Sequence, residues 1–170
     1  MAKVDGSVEV NAIYNNEIFV NDDAETTIFD VIHNVFSQND FSSERQEKYH
    51  SEVDLVGLVE LGFPTSAYEI VVAQLHLPKD AIGAETTIRN RIRNEERLNA
   101  EESERVIRLL RVFTMAKNLY GSSEKAIEWM HKPRRFIPGK EATTPIALSA
   151  RDVGARLVEE QLLRTTYGVY

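Results

Sequence analysis

Between Asn99 and Gly121 the chain carries its strongest periodic signal. Val106, Leu109, Leu110, Phe113, Ala116 and Leu119 recur at the i, i+3, i+4, i+7 spacing that lines one face of a helix. Asn99 and Glu102 have capping-box spacing ahead of them, and Gly121 is a suitable terminator. A helix over about 100–120 follows, with an apolar face that other elements must cover. The fold class expected is therefore mainly α, and the rest of the chain supplies the covering pieces.

Those pieces are legible as further helices. Residues 24–36 place Ile28, Val31, Ile32, Val35 and Phe36 at helical spacing, and the polar run 37–51 reads as a linker. Ser66 and Glu69 have capping-box spacing, which predicts a helix over about 66–75. Pro78 can begin a short helix that Gly83 breaks. Thr86 or Thr87 then starts another over 85–97, with Ile88 and Ile92 inward. Ser122 or Ser123 caps a helix holding Ala126, Ile127 and Met130, and Pro133 stops it. Residues 132–144 read as a Pro/Gly/Thr loop, and Thr144-Pro145 opens a short helix. Val153, Leu157, Val158, Leu162 and Leu163 form a last amphipathic helix ending near Gly168. Near the start, residues 7–20 partly alternate around Asn15-Asn16 and read as a short β-hairpin.

Composition narrows the function classes. The chain has 170 residues, 42% of them hydrophobic, enough for one domain or two small ones. The absence of cysteine excludes disulfides and Cys-based metal sites. No apolar run approaches the ~18 residues of a membrane helix, and no apolar signal core follows Lys3, so a cytoplasmic location is expected. His33, His50, His76 and His131 show no metal-helix spacing, and the adjacent pairs Glu101-Glu102 and Glu159-Glu160 point their members to different sides of a helix. With no phosphate loop or nucleophile motif either, no enzymatic role, metal or cofactor is expected.

Charge is unevenly placed. Residues 1–60 hold three Lys and Arg against thirteen Asp and Glu, a balance of −10; the remaining seventeen and fourteen give +3, and the total is −7. An acidic leader thus precedes a mildly basic body. Such asymmetry marks a nucleic-acid face in the body, an arm that shields it, or simply a solvated acidic face. Within the body, a short helix, a tight turn and a second helix are the parts of a helix-turn-helix. With Ile88 and Ile92 inward, Thr86, Thr87, Arg89, Asn90, Arg93 and Asn94 are left outside. Arg grips guanine bidentately, Asn grips adenine and Thr bonds phosphate. The bland alternative is an exposed helix with i, i+4 ion pairs, Arg89 or Arg91 with Glu95.

The succession of these segments resembles antitoxins of the Xre/ParS/MbcA type, which pair with RES-domain toxins. The resemblance runs over about 60–170: Leu98, Glu102-Ser103, Arg105 and Arg108-Leu109, then Tyr120-Gly121, Glu124-Lys125-Ala126 and Trp129, then Pro133, Gly139, Pro145, Gly154, Val158 and Gly168-Val169. It implies an Xre-like helix-turn-helix domain at 55–98 that binds the operon's own promoter. It also implies a small helical toxin-binding domain at 99–170, behind an acidic extension at 1–54. RES toxins are similar to ADP-ribosyltransferases and consume NAD; the resemblance implies neutralisation by a C-terminal segment at the toxin's active-site entrance. The end of the sequence, Tyr167, Gly168, Val169 and Tyr170, suits that place, since Tyr gives large contact area at low entropy loss and an α-carboxylate could fill an anion site. The other reading of this end is a frayed terminus. Trp129 is a further toxin-binding candidate, or a core residue beside Ile127 and Met130. A homodimer is expected, because helix-turn-helix repressors read two half-sites. The alternatives are a stand-alone helix-turn-helix regulator without a toxin, and an interaction module without DNA binding.

Overall fold

A computed structural model describes residues 25–38 and 49–168, and these form eight helices: α1 Ile28–Ser37, α2 Glu52–Leu61, α3 Thr65–Leu75, α4 Glu85–Arg93, α5 Ala100–Tyr120, α6 Ser123–His131, α7 Pro145–Ser149 and α8 Asp152–Tyr167. The protein is mainly α, as expected. The hairpin expected over 7–20 lies outside the described residues.

α5 is the strut of the structure. Its 21 residues rise about 31 Å. α1, α2, α6, α7 and α8 all pack on it. Val106, Leu109, Leu110, Val112, Phe113 and Ala116 are buried, so the apolar face read from the sequence is the face that meets its neighbours. The cap is the expected one: Glu102 N donates to Asn99 Oδ1 at 2.8 Å, and Asn99 N donates to Glu102 Oε2 at 2.8 Å. Gly121, left-handed at φ 76°, ends the helix.

Several boundaries differ from the sequence reading, each for a local reason. α2 lies just after the run read as a linker, and the sequence reading placed no helix there. Ser51 and Asp54 cap it reciprocally, and the His50 backbone N–H, then the Ser51 hydroxyl and N–H, hold the Asp54 carboxyl below its ordinary range. It escapes periodicity because it is apolar on both sides: Leu55 and Leu58 point inward, Val53 and Val56 outward. α3 starts at Thr65, one residue before the expected Ser66, with Pro64 as its uncapped boundary and no capping bond from Ser66. Pro78 begins a turn, not a helix, closed by Ala81 N donating to Pro78 O at 3.0 Å. α4 starts at Glu85 and stops at Arg93 rather than at 97, because Glu95 turns left-handed at φ 55°. Glu95 N then donates to Ile92 O and Glu96 N to Arg91 O, which uses the last carbonyls of α4. In α8, Val153 and Leu163 are exposed, and Gly154, Ala155, Val158 and Leu162 form the inward face.

Two glycines mark where backbones meet. Gly62 sits at φ 90°, and a Cβ there would overlap the Leu98 carbonyl oxygen. A Cβ on Gly154 would overlap the Leu148 carbonyl oxygen at the α7–α8 corner. Gly57, in α2, has open space around its missing Cβ. Gly154→Ala is therefore expected to destabilise the protein by about 1–3 kcal/mol. Gly57→Ala should stabilise it by about 0.5–1 kcal/mol through helix propensity. Thermal unfolding followed by circular dichroism checks both; equal melting temperatures for the two variants would contradict the packing described at the corner.

Candidate functional site

The helix-turn-helix is built from α3, the turn 76–84 and α4, so its first helix is α3 and not the short helix expected from Pro78 to Gly83. His76 ends α3 in a left-handed conformation at φ 51°. Leu77 and Ile82 then plug the turn into the core, both buried. Ile88 is buried and Ile92 is half-buried, so α4 lies with its apolar side down as expected. A groove between the two helices is lined by Tyr68, Val72, Ile88 and Ile92.

Long-range polar bonds hold this unit on α5. Arg105 Nη1 donates to Ile82 O at 2.6 Å. Arg91 Nε stands 3.0 Å from Glu102 Oε2 as an ion pair, off the axis of a good hydrogen bond. Phe63 N donates to Ser103 Oγ at 2.8 Å, and Leu98 N to Phe63 O at 2.9 Å. Glu102 thus caps α5 and anchors α4 with one carboxylate. Local sequence patterns do not reveal these positioning residues, since Arg105 and Ile82 are 23 positions apart.

All six polar residues assigned to the outer face of α4, Thr86, Thr87, Arg89, Asn90, Arg93 and Asn94, are exposed. Their side chains hold one another loosely. Arg89 pairs with Glu85, which Lys79 also approaches at 3.7 Å. Arg93 Nη2 donates to Asn90 Oδ1 at 3.1 Å, and Asn94 Nδ2 to Glu96 Oε1 at 3.2 Å. The pairing of Arg89 or Arg91 with Glu95 is not the one formed: Arg91 is turned inward toward Glu102 and Glu96. Exposed pairs of this kind contribute about 0–1 kcal/mol, so a ligand can replace them at little expense.

At the other end of the chain, α8 runs to Tyr167, which is 76% exposed, and stops at Gly168, left-handed at φ 65°. Val169 and Tyr170 lie outside the described residues. Trp129 sits in the core at 5% exposure, with Tyr120 5.8 Å away on one side and the Arg134 guanidinium 5.3 Å from its ring centre. The structure therefore does not bring Trp129 to the surface with Tyr167. Among the described residues no cluster of His, Asp and Glu stands where it could hold a metal, and no helix is long and apolar enough to cross a membrane.

A helical protein whose turn-linked helix pair turns a polar outer face to water is of the helix-turn-helix class. No family profile matches the chain. It is similar to the Antitoxin Xre of Pseudomonas putida, 31% identical over 90 residues, which cover 53% of this chain and 55% of that protein. It is also similar to the Antitoxin Xre of Yersinia enterocolitica serotype O:8, 31% identical over 122 residues, which cover 68% of this chain and 80% of that protein. The chain thus spans little more than half the length of the Pseudomonas relative. It belongs to the Xre antitoxin family.

Tyr68, on the buried side of α3, offers a direct check on this packing. Burial, and secondarily the Glu102 charge, push its hydroxyl from 10 up to about 12. The folded protein then keeps a proton that the unfolded chain releases near pH 10. Stability should be intact below pH 10 and fall as pH rises toward 12. Denaturant unfolding across that range should show a shallower fall in Tyr68→Phe; the same slope in both proteins would place Tyr68 in water.

Proposed function

We propose that this protein is a non-catalytic, cytoplasmic antitoxin that neutralises a RES-domain toxin and binds the promoter of its own operon as an autorepressor. The observation that carries the DNA half is the exposure of five polar residues of α4 and its cap Asn94 while Ile88 and Arg91 are directed into the fold. Thr86, Thr87, Arg89, Asn90, Arg93 and Asn94 then face the operator, with the start of α4 entering the major groove. Two copies read two half-sites. Val53 and Val56, one turn apart and exposed at 78% and 57%, supply apolar surface for that self-association.

The toxin half rests on family membership and on the exposed end of α8. Residues 99–170 bind the toxin, residues 55–98 bind DNA, and residues 1–54 are an acidic extension, of which α1 packs into the core. Tyr167, Gly168, Val169 and Tyr170 lie at the entrance of the toxin's NAD site and inhibit by occlusion. Trp129 acts from the core, by holding the segment that carries Arg134.

Two experiments test the halves separately. Arg89→Ala and Arg93→Ala should each reduce the salt slope of promoter binding by about one. Unchanged slopes would remove α4 from the DNA. For the toxin, co-expression with the neighbouring RES-type protein should restore growth and cellular NAD. Deletion of Val169 and Tyr170 should abolish that rescue; full rescue by the truncated chain would overturn the occlusion mechanism.

A further inference from the structure

The loop after α6 concentrates positive charge. Residues 132–144 hold four cations, Lys132, Arg134, Arg135 and Lys140, against one acid, Glu141, in a chain of net charge −7. Elsewhere among the described residues, Arg89, Arg91, Arg105, Arg108, Arg111, Arg156 and Arg164 each meet a carboxylate within 4 Å, and the cations that meet none, Arg93, Lys125 and Arg151, are scattered singly. Among the described residues, none of the four loop cations meets a carboxylate, and Lys132, Arg135 and Lys140 are exposed.

The loop is also preorganised. Arg134 N donates to Thr143 O at 2.8 Å, and Thr143 N to Arg134 O at 2.9 Å, which closes it into a ring of backbone. Its tip, Ile137-Pro138-Gly139-Lys140, is a tight turn in which Lys140 N donates to Ile137 O at 3.2 Å and Gly139 takes φ 74°. Arg134 is spent on the Trp129 ring, which leaves the other three cations for a partner. The base of the loop is tied to the helix-turn-helix. His131 Nε2 donates to Leu75 O at 2.8 Å, on the last turn of α3, and the His131 and His76 rings lie 6.4 Å apart. The loop thus leaves the body beside the turn that leads into α4.

We propose that Lys132, Arg135 and Lys140 bind backbone phosphates of the duplex beside the groove that α4 enters. The proposal rests on the DNA-binding reading above. A regular ladder of phosphates suits fixed, unpaired cations held at one side of a helix-turn-helix, and such contacts set position without reading sequence. The domain assigned to the toxin would thereby also share in holding DNA.

The test is anisotropy titration, over a range of salt, of a promoter duplex and a scrambled duplex of equal length. The full chain is compared with Lys132→Gln/Arg135→Gln/Lys140→Gln and with Arg89→Ala/Arg93→Ala. The loop variant should lose about 2–3 in salt slope on both duplexes while the promoter-to-scrambled ratio stays the same. The α4 variant should reduce that ratio. Because the three loop residues are exposed, an unchanged circular dichroism spectrum and melting temperature separate contact loss from misfolding. Wild-type binding with an undiminished slope in the loop variant overturns this proposal and leaves the α4 reading standing. The same result with weaker capture of the co-expressed toxin assigns the loop to the toxin, and also overturns it. Binding of neither duplex by the wild type overturns both readings.

Discussion

The buried carboxylate of Glu102 is the point at which α4 is joined to α5. It closes the cap of α5 with Asn99 and faces the guanidinium of Arg91 on α4. A lone buried charge would be expensive, but here the Asn99 backbone N–H and the arginine replace the lost water. Ser103 and Arg105, in the same turn of α5, add the bonds to Phe63 and Ile82. One turn of one helix therefore positions α3, the turn and α4. The exposed face of α4 owes its direction to bonds made on the opposite side.

The other end of α5 repeats the device in a smaller form. Lys117 is buried, and its Nζ donates to Thr26 Oγ1 at 2.5 Å, while Asn118 exchanges bonds with the Thr26 backbone at 2.8 and 2.9 Å. The first described residues are thus secured to the strut, and α1 packs behind them on α3 and α5. Apolar burial fills the space between these two polar anchorages. Burial supplies most of the stabilisation, and the anchorages choose which arrangement of helices it stabilises.

Function divides along the same lines. The proposed DNA-facing residues are exposed, weakly paired and mounted on a held helix, which leaves them free to exchange partners without disturbing the core. Of the proposed toxin-facing residues, Tyr167 and Gly168 sit at the end of α8. Between them, the ring of residues 134–143 carries unpaired cations on a frame fixed by Trp129 and His131. Only the α4 set could be singled out from residue types, because Arg, Asn and Thr at helical spacing carry a recognisable chemistry. The loop shows as basic in the sequence, but its lack of partners depends on which carboxylates fold toward it.

The sequence by itself determined the helical class, the extent and caps of α5 and α6, the glycine end of α8 and the inward sides of α4 and α5. These follow from short-range rules: apolar spacing, a capping side chain three residues from its backbone donor, and a glycine able to turn left-handed. It did not reveal α2, since a helix apolar on both faces has no period to read, and it overextended α4, since Glu95 turns left-handed without a glycine to signal it. The tertiary structure alone decided that Arg91 points inward, that Trp129 is covered and that Glu102 links two helices. Those outcomes rest on pairs of groups brought together by packing, and residues far apart in the chain leave no local pattern of their meeting.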